Sequence, residues 1–161
     1  MIFVIESVVL CLAFTGMVCL ISRDPVKTLY NYPPKIQARV KSLPEYKGKL
    51  PTQKNKAVAK LGASVLFVIV LALILRCVNG CTTFLKTFGT GFFLWTVVNL
   101  WDALVLDILW FCHDPRFVLK GTEDMTADYH DYRFHLRGFL IGEALALVVC
   151  ALAGLAVQFV L

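Results

Sequence analysis

Apolar residues in this chain come in four long runs, separated by three polar connections. The first run, Met1–Ile21, is broken only by Glu6. The second, Ala57–Arg76, has no charge between Leu61 and Leu75. The third, Phe88–Cys112, carries Asp102 and Asp107, and the fourth, Phe134–Leu161, has His135, Arg137 and Glu143 only near its start. A hydrocarbon core about 30 Å thick takes roughly 20 helical residues to cross. Backbone in lipid must satisfy itself, which leaves helices and closed barrels. These runs are continuous and lack the alternation of barrel strands. The pattern therefore predicts an all-α integral membrane protein, a single domain over residues 1–161. Its four transmembrane helices, at about 1–21, 57–76, 88–112 and 134–160, are expected to form an antiparallel bundle.

Composition agrees. The 161 residues are 58% hydrophobic and only 17% charged, with a mean hydropathy of +0.73, and twelve are Phe. Such a chain is too apolar for disorder and too sparsely charged for an ordinary soluble domain. The formal net charge of +5 is unevenly spread. The stretch Arg23–Lys60 holds ten Lys and Arg against Asp24 and Glu45, whereas Arg76 and Lys86 are the only bases near the second connection. Positive charge collects in cytosolic loops. Loops 23–56 and 113–133 are thus expected in the cytosol and both termini outside, in a cell membrane. No Lys or Arg precedes Arg23, and Glu6 falls where a signal peptide would be basic or apolar, so the first helix is read as retained. The basic loop is expected to meet anionic lipid headgroups, and no nucleic-acid partner is expected.

Pro25, Pro33, Pro34, Pro44 and Pro51 cut the first loop into short pieces. Between them, residues 34–43 read as a short amphipathic helix with Ile36, Val40 and Leu43 on one face. The expectation is an interfacial helix lying in the headgroup plane, with Tyr30 and Tyr32 as anchors. Thr122 is expected to cap the fourth helix, and Tyr129 and Tyr132 to mark the interface. Four of the six cysteines fall inside spans as small apolar groups, while Cys77 and Cys81 could close a small disulfide loop or stay free.

Charge inside the hydrocarbon is costly and marks functional residues first. On an α-helical wheel, Trp95, Asn99, Asp102, Asp107, Trp110 and His113 share one broad face of the third span, with the two aspartates roughly 140° apart. Counting along the helices puts Asp102 and Glu143 at similar depth from the cytosolic side. Asp102, Asp107, Glu143 and His135 are therefore expected to provide acid–base chemistry in a cytosol-facing pocket, with Asn99, Trp95, Trp110 and Arg137 contacting substrate. His113, His130 and Glu123 in the last connection are ligand types for a divalent metal ion. Gly138 and Gly142 form a small-residue stripe suited to a second copy or a partner subunit. Asn99-Leu100-Trp101-Asp102 with Asp107 does not keep the spacing of the aspartate-rich motif of intramembrane prenyltransferases, and no family is assigned. Three functions stay open: an embedded enzyme or binding protein, a cation or proton pathway, and a noncatalytic subunit.

Overall fold

The structure, a computed structural model, describes residues 2–50 and 53–160, with the side chains of residues 2, 53–61, 63 and 64 left undescribed. Every regular element among the described residues is helical. The α-helices are α1 (Ile2–Ile21), α2 (Pro34–Ser42), α3 (Gln53–Cys77), α4 (Phe84–Trp101), α5 (Thr126–Tyr129) and α6 (Tyr132–Phe159). A π-helical segment, Asp102–Phe111, continues α4, and short 3₁₀ turns occupy Pro25–Asn31, Pro44–Tyr46 and Pro115–Phe117. Three stretches are long and apolar enough to cross a membrane: Phe3–Ile21, Phe84–Phe111 and Thr126–Phe159. The second expected span lies partly outside the residues with described side chains, and its described apolar helix is Val65–Cys77. Pro51 also lies outside the described residues.

The chain divides into two compact units. The first comprises Met1–Ser7, Thr52–Asn99 and Leu140–Leu161. Small residues bring its helices close. Ala72, Ala146, Cys150, Ala153 and Val157 are buried. A Cβ on Gly91 would lie 3.0 Å from Leu75, and one on Gly154 would lie 2.8 Å from the Phe84 ring. Close approach of this kind substitutes for a hydrophobic driving force between helices in lipid. At the end of α3, Gly80 takes φ +60°, so the Cys81 N–H reaches back 2.9 Å to the Leu75 carbonyl. That bond, six residues back, closes the end of the helix and turns the chain into α4. Cys77 and Cys81 are unbonded.

The second unit comprises Val8–Pro51 and Leu100–Phe139. Its core joins the first and last connections. Leu29, Tyr32, Ile36, Val40 and Tyr46 pack with Leu119 and Tyr129. Hydrogen bonds run the same way: Tyr32 Oη donates to the Phe117 carbonyl (3.1 Å), Tyr46 Oη to Lys120 (3.0 Å) and Arg39 Nε to Gly121 (3.2 Å). Lys35–Asp128 (2.9 Å) and Lys120–Glu45 (3.4 Å) add ion pairs at the surface.

Three expectations are corrected here. Helix α2 forms, opened by Pro34, but Ile36 and Val40 are fully buried against protein and do not face headgroups. Tyr32 is only 1% exposed and is a core residue, not an interfacial anchor. The fourth long helix begins at Tyr132, not near Thr122. Thr122 is buried; its hydroxyl lies 2.6 Å from the Leu119 carbonyl and 2.7 Å from Tyr129 Oη. A hydroxyl committed to these neighbours cannot cap a helix.

Candidate functional site

The site is built where α4 leaves α geometry. From Asp102 onward the backbone bonds widen, and the Cys112 N–H meets the Asp107 carbonyl at 3.1 Å, five residues back. Sustained π-helix is rare and tends to occur at functional positions. Its consequence is a change of facing. A turn that closes over five residues stacks residue i with residue i+5, and Asp102 and Asp107 are five apart. Both therefore line one cavity of about 400 Å³ in the second unit.

Opposite them stands His135, near the start of α6. Its Nδ1 lies 3.1 Å from Asp107 Oδ2. A carboxylate oxygen accepts, so Nδ1 carries the proton and the neutral ring keeps its lone pair on Nε2. The side chain is buried, with the rings of Phe111 and Phe134 edge-on at 5.4 and 5.3 Å. Nε2 is buried and has no hydrogen-bond partner among the described residues, and the buried Cys112 thiol is a close neighbour of the ring. An unsatisfied buried polar atom costs about 1–3 kcal/mol, and the Cys112 thiol, a hydrogen-bonding neighbour of the ring, offsets part of that cost.

The remaining walls are mostly apolar. Phe14, Met17 and Val18 of α1 line it together with Leu106, Trp110 and Phe134. Gly138 adds no side chain, and a Cβ there would meet nothing within 4 Å. Tyr32 closes another wall, and burial, followed by the neighbouring Tyr129 and Tyr46, pushes its hydroxyl well above the usual phenol range. It remains a donor, to Phe117.

A second cavity, of about 330 Å³, gathers Cys112, His113, Asp114, Glu123 and His130. The Arg116 guanidinium, its backbone N–H and the Trp110 indole hold the Asp114 carboxyl far below the ordinary range. Backbone N–H groups, including that of Gly121 at 2.9 Å, lower Glu123. Both acids are already engaged. Among the described residues no three His, Cys, Asp or Glu converge closely enough to hold a metal ion.

The expected site residues thus separate. Asp102, Asp107, Trp110 and His135 share the larger cavity, and His113, Glu123 and His130 share the smaller one. Glu143 belongs to the first unit, where Thr96 Oγ1 and Asn99 Nδ2 each donate to it at 2.8 Å. The Asn99 side chain occupies the space beside Gly142. Trp95 packs edge-on against Phe67 at 5.3 Å, and Arg137 is exposed. Sequence reasoning missed Phe14, Met17 and Cys112. The α1 residues sit in a uniformly apolar run that carries no pocket signal. Cys112 could have been noticed, since it lies five residues after Asp107 and so repeats the spacing that stacks the two aspartates. No family model matches the chain, and neither a curated protein nor a solved structure matches it.

Proposed function

We propose that this is a four-span membrane protein whose larger cavity binds an amphiphile with a protonated amine or similar cationic, hydrogen-bonding head. The carrying observation is His135, tied to Asp107 through Nδ1 and buried without a hydrogen-bond partner at Nε2 among the described residues. With a cation bound beside His135, Asp102 and Asp107 would both stay ionised. Uncompensated charge in an apolar enclosure is costly, which favours a cation there. Trp110, Phe111 and Phe134 present ring surface, which also suits a cation, and Met17, Val18 and Leu106 suit an apolar body. The Asp107–His135 pair is then set to hold or take a proton at the head of the ligand.

The interlocked connections support the topology. Residues 23–50 and 113–131 share one core, so they lie on one side of the membrane. One crossing by Phe84–Phe111 must then be matched by another between them, and α3 is the helix available. The excess of Lys and Arg in the first loop supports a cytosolic side for both connections, with both termini outside in a cell membrane.

The reading is tested by titrating dodecylamine into the protein in phosphatidylcholine nanodiscs, with empty nanodiscs subtracted. Dodecanol and dodecanoate serve as controls. Saturable binding of the amine, weakened at least tenfold by His135→Gln and by Asp102→Asn, is expected. Amine uptake equal to that of empty nanodiscs, or dodecanoate binding as well as the amine, overturns it.

A further inference from the structure

The smaller cavity holds two histidines arranged alike. His113 Nδ1 lies 2.9 Å from the Ile108 carbonyl, and His130 Nδ1 lies 2.8 Å from the Thr126 carbonyl. A carbonyl only accepts, so each Nδ1 carries the proton and each neutral ring keeps its lone pair on Nε2. Pinning one ring nitrogen to a carbonyl is the arrangement that fixes tautomer and orientation in histidines that bind metals. The two rings stand 5.0 Å apart between centroids and are nearly perpendicular, at 87°. His113 is exposed and His130 partly so, which leaves a path from water.

We infer that His113 and His130 form a two-imidazole site for a borderline transition-metal cation, of which Zn²⁺ and Cu²⁺ are the best matched. Neutral imidazole pairs select such ions over Mg²⁺ or Ca²⁺, which take oxygen ligands. Asp114 and Glu123 line the same cavity and give it negative charge, but their oxygens are held by Arg116 and by Gly121. No third side chain closes on the pair among the described residues, so water fills the remaining positions. An ion bound in this way is open to a further ligand. The site is separate from the amine pocket, since His135 takes no part in it.

The test is a Zn²⁺ titration of the full chain, free of any affinity tag and stripped with chelator, in nanodiscs. One Zn²⁺ per chain is expected, with affinity reduced at least tenfold by His113→Gln and by His130→Gln and unchanged by His135→Gln. Cu²⁺ loading followed by electron paramagnetic resonance should show coupling to two nitrogens, reduced to one in either Gln variant. No saturable Zn²⁺ uptake, or Gln variants that bind as the parent does, overturns the inference. Folding of each variant is checked by a circular dichroism spectrum and thermal unfolding that match the parent.

Discussion

His135 reaches Asp107 with one ring nitrogen at 3.1 Å and leaves the other buried without a hydrogen-bond partner among the described residues. The pairing depends on a break in helix geometry. A regular α-helix would turn Asp107 away from the wall that Asp102 shares, and the π-helical segment brings both aspartates to the same side as His135. Asp107→Asn, which removes the carboxylate that the π-helical segment brings to His135, should therefore weaken amine binding at least tenfold. The protein should still insert and show the same helix content by circular dichroism.

The shared core of the two connections predicts an asymmetry between buried and exposed apolar substitutions. Ile36→Ala should cost about 2–5 kcal/mol, because it opens a void among fully packed neighbours. Leu140→Ala, at an exposed position on α6, should cost far less in the same lipid. Chemical unfolding in mixed micelles reads both. Equal costs would place Ile36 against lipid.

The Thr122–Tyr129 contact is part of a chain that includes the Leu119 N–H, which donates to Tyr129 Oη at 2.9 Å. Thr122→Val and Tyr129→Phe should each destabilise by about 1–3 kcal/mol. The double variant should lose less than the sum of the two, since the groups act as one network. A double-mutant cycle checks this.

Gly142 is needed because Asn99 lies where its side chain would be. A Cβ at 142 would stand 2.6 Å from Asn99 Oδ1, and Asn99 cannot move away without losing its bond to Glu143. Gly142→Ala should cost about 1–3 kcal/mol through overpacking. Combining it with Asn99→Ala should recover part of the loss, although Glu143 then loses one of its two bonds among the described residues and keeps that to Thr96. Thermal unfolding of the three variants decides the point.

Asp114 predicts a pH dependence. Its folded carboxyl titrates below the ordinary value near 3.9, chiefly through Arg116. A depressed folded value means the stabilisation is complete above the unfolded pKa and is lost as pH falls through the folded one. The difference in Tm between the parent and Asp114→Asn should be constant from about pH 6 to 8 and shrink below about pH 4. A difference that widened on acidification would contradict the assigned contacts.

Membrane class was legible because run length alone decides it, and the short helix α2 was legible from Pro34 and the spacing of Ile36 and Val40. What covers that helix was not legible. Leu119 and Tyr129 lie some 80 residues away, and an amphipathic face does not say whether lipid or protein will meet it. Asp102, Asp107 and His135 stood out as charge and imidazole among apolar residues, yet their grouping rested on a helix pitch that a 3.6-residue period does not contain. Glu143 stood out for the same reason, and its partners Thr96 and Asn99 are ordinary polar residues whose pairing depends on how two helices meet. Composition marks where charge is costly, while helix geometry decides which charges share a cavity.

The central claim is that the cavity of Asp102, Asp107 and His135 takes a cationic amphiphile, and site-resolved photolabelling tests it most directly. A dodecylamine bearing a diazirine midway along its chain, used in nanodiscs, should label peptides containing Met17 and Leu106. Excess dodecylamine should compete that labelling away, and His135→Gln should reduce it. Labelling spread over exposed apolar residues such as Leu12 and Leu147, and indifferent to competitor and variant alike, would contradict the account.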